Sequence, residues 1–197
     1  MSDERSIEEL AERLGLDPES DRAWLEPALE HPSYAHERRG DRGNERLEYL
    51  GDAVLDLAIG DLLYRAHAGW DEGSLTRARA SLVNTAALAE RAREIKLGAC
   101  IRLGRTELRG KGSEKPRILA NAFEALLGAS YLARGYEPTR ALIARLFRHI
   151  VENPLLGSHR DPKTAFQEWA HAHRELTPRY QVLSDSGIEN SAERFEV

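Results

Sequence analysis

The run Asn44-Glu45-Arg46-Leu47-Glu48-Tyr49-Leu50-Gly51-Asp52-Ala53-Val54-Leu55-Asp56-Leu57-Ala58-Ile59-Gly60-Asp61 decides the fold, because it lays two patterns on one helix. Leu47, Leu50, Val54, Leu57 and Ala58 recur at helical spacing and form an apolar stripe. Glu45, Glu48 and Asp52 stand at i, i+3 and i+7, within about 60° of one another on the opposite side. Three carboxylates therefore share a face, and Arg46 points away from it. A solvated helix ordinarily shows such a face. Like charges at this spacing still cost about a few tenths of a kcal/mol per pair, a cost that a divalent cation would remove.

Outside this run the composition sets bounds. A chain of 197 residues fits one domain of about 150 residues with a smaller piece attached. Abundant Ala, Leu, Arg and Glu predict helices. The single cysteine, Cys100, excludes an internal disulfide and a cysteine-based zinc site, and suits a reducing compartment. An acidic N-terminus and apolar runs broken by Asp52, Asp56 and Asp61 predict a soluble, cytoplasmic chain without a membrane span. The net charge of −5 argues at first against nucleic acid. Residues 1–50, however, hold 14 carboxylates against 7 arginines, a balance of −7, so the other 147 residues carry +2. Between Arg102 and Arg117 six cations (Arg102, Arg105, Arg109, Lys111, Lys115, Arg117) face only Glu107 and Glu114, with Gly104, Gly110 and Gly112 between them. This segment reads as a flexible basic loop, which is either an ordinary solvated loop or a nucleic-acid contact.

Helix signals flank the acidic run on both sides. Ser6 with Glu9 gives a capping-box pattern, and Asp21 is a candidate N-cap for a helix carrying Trp24, Leu25 and Leu29, ended by His31-Pro32-Ser33-Tyr34. A polar loop over 37–43 leads into the acidic helix, which extends to about Ala68. Asp71-Glu72-Gly73-Ser74 opens two helices with Leu75, Ala78, Leu82, Leu88, Ala92 and Ile95 inward. Pro116 suits a first turn, and Ile118 to Arg134 is apolar almost all round, so this helix should be buried. Pro138 starts a further amphipathic helix. The buried helix carries Asn121 and Glu124 one turn apart. A carboxylate there needs a partner, either an arginine or a metal held jointly with the acidic helix.

The segment from Asn44 to Leu55 resembles the signature of the ribonuclease III family, endonucleases that cut double-stranded RNA. The resemblance continues in order through His31-Pro32-Ser33-Tyr34, Asp71-Glu72-Gly73, Arg77 to Asn84, and Ile118 to Leu126. It implies an all-α catalytic domain over 1–152 that forms a homodimer with two active sites. By the same resemblance Glu48, Asp52, Asn121 and Glu124 would hold Mg²⁺, with Mn²⁺ as a substitute. Asp52 and Glu124 would be catalytic, and Glu45 and Glu72 supporting acids. The products implied are 5′-phosphate and 3′-hydroxyl ends. Asn121 stands where the commoner pattern has aspartate; its neutral amide offers one oxygen, so the metal requirement should rise.

A linker over 153–161 is followed by Asp161 to Trp169, which is similar to the opening helix of a double-stranded RNA-binding domain. Runs at 179–184 and 193–197 fit its first two strands, giving an incomplete α+β domain over 162–197 that should be poorly ordered alone. Thr164 and Gln167 match the RNA-reading helix. Asn190 and Ser191 stand where the family often has a histidine between the strands. Two other functions compete: a non-catalytic RNA-binding scaffold, and a helical metal-dependent hydrolase of small phosphate esters. Retention of Glu48, Asp52 and Glu124 weighs against the scaffold. No nucleophile elbow and no Gly-rich phosphate loop occurs, so nucleophilic catalysis and a nucleotide cofactor find no support.

Overall fold

The computed structural model describes residues 2–39, 42–152, 184–185 and 195–196. The chain divides into two compact units, Met1–Ser158 and His159–Val197. In the first, the described regular structure is helical: α1 (Ser2–Leu14), α2 (Arg22–Ala28), α3 (Pro32–Arg39), α4 (Glu45–Ala66), α5 (Glu72–Val83), α6 (Thr85–Glu94), α7 (Arg105–Arg109), α8 (Pro116–Arg134) and α9 (Tyr136–Glu152). In the second, β1 (Ser184–Asp185) pairs antiparallel with β2 (Phe195–Glu196), Ser184 opposite Glu196 and Asp185 opposite Phe195. The runs expected at 179–184 and 193–197 thus meet at their described ends. The linker, Thr164, Gln167, Asn190 and Ser191 lie outside the described residues.

Helix α8 is central because almost every side chain on it is apolar. Pro116 fits its first turn, where no helical N–H is lost, and Gly135 ends it with φ of 79°. Helices α2, α4, α6 and α9 pack around it. Phe123 of α8 meets Phe147 of α9 edge to face, ring centres 6.2 Å apart, within a core that includes Leu55, Ile59 and Leu63 of α4. Removing a large side chain here would cost about 3 to 5 kcal/mol. The side chains of Asp71 and Asn84 cap α5 and α6, accepting from Ser74 N–H and Ala87 N–H. Ala78, Leu82, Leu88, Ala92 and Ile95 are buried as their spacing predicts.

Several local expectations are corrected. Helix α1 begins at Ser2, so Ser6 lies inside it and does not cap it. Asp21 precedes α2 but makes no side-chain cap; its carboxylate goes to Arg134 and to the Asp17 N–H. His31-Pro32 does not merely end a helix, since Pro32 opens α3, so that 37–39 is helical and not loop. The acidic helix stops at Ala66, capped at His67. Leu57, placed in the apolar stripe, is 61% exposed, because the core face of α4 is carried by Val54, Leu55, Ala58, Ile59 and Leu63. The basic segment is not a loose loop either: α7 and a short 3-10 turn at Gly112–Glu114 occupy half of it.

Candidate active site

Helices α4 and α8 touch backbone to backbone. A Cβ placed on Gly51 would lie 1.8 Å from the Glu124 carbonyl oxygen, and one on Gly128 would lie 2.3 Å from that of Leu47. Only glycine permits this approach, since any side chain would force the helices apart. The crossing seats Glu48 and Asp52, which flank Gly51, against Asn121 and Glu124, which lie within two turns of Gly128.

The electrostatics follow from that placement. Burial, then the charges of Asp52, Glu48 and Asp56, pushes the Glu124 carboxyl up to about 7. Among the described residues the charges that raise Glu124 are those of carboxylates. Burial also raises Glu48, whose carboxylate takes a hydrogen bond from the Asn121 amide and feels Glu45, Arg117 and Asp52. Asp52 is raised by burial and by Asp56. Among the described residues no arginine forms an ion pair with Glu124.

The donor chemistry suits a hard cation. The carboxylates of Glu48, Asp52 and Glu124 raise one another's cost of ionisation, and their mutual repulsion is what a divalent ion would relieve. Among the described residues no three His, Cys, Asp or Glu side chains are placed to hold a metal ion together. Mg²⁺ does not ask for three, because it keeps several waters and binds through one or two carboxylates plus substrate phosphates.

Glu45, in the first turn of α4, is exposed at the edge of this cluster and contributes to the raised pKa of Glu48. Glu72 is exposed in the first turn of α5, where it accepts from the Thr76 hydroxyl at 3.0 Å; it is not among the charges acting on Glu48, Asp52 or Glu124. Asp56 was missed, although it continues the spacing 48, 52, 56; it stands 3.8 Å from Arg79. The roles of Gly51 and Gly128 were missed too, and their spacing from Glu48, Asp52 and Glu124 was the available signal.

On the flank of the site, His31 Nδ1 accepts from the Ser33 N–H at 3.2 Å, and the Ser33 hydroxyl oxygen accepts from Gly104 N–H at 3.0 Å. Burial lowers the His31 pKa, with Glu107, Lys115 and Glu45 as the charges around it. His31 thus stands between α7 and the start of α4.

Known proteins share this architecture. The ribonuclease-III-like family profile matches residues 21–150. The chain is 45% identical over 181 residues to Ribonuclease 3 of Heliobacterium modesticaldum, covering 91% of this chain and 77% of that protein. It is 42% identical over 200 residues to Ribonuclease 3 of Myxococcus xanthus, covering 100% of this chain and 76% of that one. The nuclease domain of ribonuclease III from Campylobacter jejuni superposes with a TM-score of 0.68 at 39% identity, covering 73% of this chain and 96% of that domain. Dicer from Pichia stipitis, at 20% identity and a TM-score of 0.53 over 83% of this chain and 74% of that one, shares the fold. With the glycine-tight crossing and its carboxylates on the matched segment, this chain belongs to the ribonuclease III family.

Proposed function

We propose that this endoribonuclease hydrolyses double-stranded RNA at the α4–α8 crossing, with Glu48, Asp52, Asn121 and Glu124 holding Mg²⁺ or Mn²⁺. The observation that carries the reading is the Gly51–Gly128 approach, which sets two carboxylates of one helix against a half-buried carboxylate of the other. A bound divalent ion supplies Lewis acidity and an acidic water at neutral pH. The residues do the rest. Asp52 and Glu124 bring opposed negative charge to the crossing, where they would hold the ion against the scissile phosphate. The Asn121 amide donates to Glu48 and fixes its orientation. Apolar packing beneath Glu124 keeps bulk water from one side of the cluster. Hydrolysis would leave 5′-phosphate and 3′-hydroxyl ends.

The active form is a homodimer. Tyr49, Leu57 and Tyr64 are 81%, 61% and 71% exposed and, with Ala53, lie within about 80° on α4, beside the acidic face. A two-fold contact there would bring two acidic faces to one duplex. Among the described residues no helix is long and apolar enough to cross a membrane. The RNA-binding role of Thr164 and Gln167 and the cytoplasmic location remain part of this proposal.

Cleavage of an end-labelled RNA duplex, titrated with Mg²⁺ beside Glu124→Ala, tests the reading. Metal-dependent cutting that the variant lacks supports it. Duplex binding without cutting at any Mg²⁺ or Mn²⁺ concentration would establish the scaffold function instead. Light scattering that gives a monomer at micromolar concentration would refute the dimer.

A further inference from the structure

We propose that His31 is a positioning residue for the reaction: neutral, with its proton on Nε2, it acts through Ser33 to seat Gly104 against α3, and protonation of its Nδ1 unseats the chain there. Its effect on cleavage rests on the duplex-hydrolysis reading; the seat itself does not.

The hydrogen bonds fix the protonation state. Ser33 N–H donates to His31 Nδ1 at 3.2 Å, so Nδ1 bears no proton. The Ser33 hydroxyl oxygen accepts from Gly104 N–H at 3.0 Å and lies 2.8 Å from the same Nδ1, so its own proton turns toward the imidazole. Two donors share one ring nitrogen, and the ring proton is left to Nε2. A proton added at Nδ1 would face both of them. The hydroxyl can rotate away, but the Ser33 N–H is fixed in the first turn of α3, so that turn must move and take the acceptor of Gly104 with it.

The surroundings leave little room for such a move. A Cβ on Gly104 would lie 2.6 Å from the Ser33 carbonyl oxygen and 2.7 Å from the Glu37 carboxylate, which accepts the Arg105 N–H at 2.9 Å. His31 N–H donates to the Arg102 carbonyl at 3.1 Å, and Arg102 N–H to that of Leu29 at 2.8 Å. On the other side Gly43, with φ of 63°, brings the entry to α4 onto the same turn, and Asn44 N–H donates to the Glu30 carbonyl at 2.9 Å. Residues 29–33 are thus clamped between 102–104 and the start of the acidic helix. A change at Ser33 reaches both.

The charges around the ring are Glu107 of α7, Lys115 ahead of α8 and Glu45 of α4. Glu107 and Lys115 pair with each other at 2.7 Å, as do Glu30 and Arg102 nearby at 3.3 Å. Burial outweighs Glu45 and holds the ring below its ordinary pKa of 6.5. The unseated form therefore takes a proton more readily than the seated one. The seat is stable above pH 6.5 and is lost as pH falls through the lower value of the folded ring.

The test is nitrogen NMR of the histidine-labelled full chain together with amide exchange at Gly104, corrected for the intrinsic pH dependence of exchange. At about pH 7.5 His31 should show an unprotonated Nδ1, and lowering the pH to about 5.5 should weaken Gly104 protection about tenfold. His31→Asn offers an acceptor in place of Nδ1 without titrating, so it should keep Gly104 protected at both pH values. Ser33→Ala should lose that protection at both. In metal-supplemented cleavage KM of the unaltered chain should rise at the lower pH, that of His31→Asn should not, and kcat of the two should change in parallel. Unchanged thermal unfolding at neutral pH checks the fold of His31→Asn, and the titration of the unaltered chain decides the matter if that variant is unstable. A proton on Nδ1 at about pH 7.5, or Gly104 protection equally pH-dependent in folded His31→Asn, would overturn the proposal. So would KM values that change alike in the two proteins. If the seat responds to pH as stated but the chain never cuts duplex, the hydrolytic reading fails and the seat stands. If the chain cuts and the seat ignores pH, His31 alone fails.

Discussion

Helix α8 treats charge in opposite ways along its length. Near its C-terminus Arg134 closes on Asp21 at 2.6 Å and on the Gly15 carbonyl at 2.9 Å, while Asp21 also accepts from the Asp17 N–H at 2.8 Å. Three turns earlier, Glu124 is half-buried among Asp52, Glu48 and Asp56, with no ion-pair partner among the described residues. Asp21 is buried and Glu124 is half-buried. The first is satisfied and holds α2 to α8; the second stays costly until something positive arrives. Stability is spent at one end and gained at the other, as expected if Glu124 serves the proposed hydrolysis and Asp21 does not.

Removing the two carboxylates should separate these roles. Glu124→Gln is expected to lower the rate of duplex cleavage by more than about 10³-fold, a loss of about 4 kcal/mol of transition-state stabilisation. Asp21→Asn should leave the rate per folded molecule near its starting value and cost stability instead. The cost is about 2 kcal/mol, at the low side for a broken pair because Arg134 keeps some contact with water. Single-turnover cleavage and urea unfolding measure the two effects. If Asp21→Asn abolished cleavage in folded protein, the division between the two ends would be wrong.

Gly51→Ala attacks what holds the site rather than its charge. The added methyl would meet the Glu124 carbonyl oxygen, a backbone atom that cannot swing aside, so α4 and α8 must separate. Overpacking of this kind should cost about 3 kcal/mol and take cleavage with it, whereas Gly60→Ala, on the same helix with nothing within 4 Å, should be neutral or slightly stabilising. Equal unfolding midpoints for the two variants would contradict the close approach.

Acidity offers a gentler probe. In metal-free protein the folded Glu124 carboxyl titrates near 7 against an ordinary value of 4.5. A raised acid favours the protonated folded state, so stability should fall as pH rises from about 4.5 to 7 and level off above. Partial exposure limits the drop to about 2 kcal/mol or less. Glu124→Gln should flatten this part of the profile, and Mg²⁺ should offset the loss in the unaltered chain. A profile that rises across this window in both proteins would mean that Glu124 is compensated in a way that Asp21 already is.

The contrast also explains what could be read in advance. Helix α8 was legible because an almost wholly apolar run has one solution, burial, and Asn121 and Glu124 were conspicuous for breaking it. The acidic face of α4 was legible from spacing. Leu57 was not, because periodicity marks an apolar residue without saying whether its own chain or another copy covers it. The order in 102–117 was hidden for a similar reason: glycines and arginines look mobile until Ser33, Glu37 and Glu107 are seen to hold the backbone. Asp21 showed its polar role but not its partner, which lies 113 residues away.

Asn121 gives the smallest effect and the sharpest test of the contrast. Its amide donates to Glu48 and, with the charge of Arg117, favours that carboxylate, so it does at the acidic crossing a little of what Arg134 does for Asp21. Asn121→Asp removes that donor and adds a negative charge. Metal-free protein should lose about 1 kcal/mol at neutral pH, read by urea unfolding. Mn²⁺ should bind about tenfold more tightly, read by the paramagnetic signal of the free ion, and half-maximal cleavage should need correspondingly less Mg²⁺. The two shifts must have opposite signs, because one negative charge both destabilises the empty cluster and attracts the ion. Loss of stability without tighter binding would show that Asn121 only supports Glu48 and lies beyond the reach of the metal.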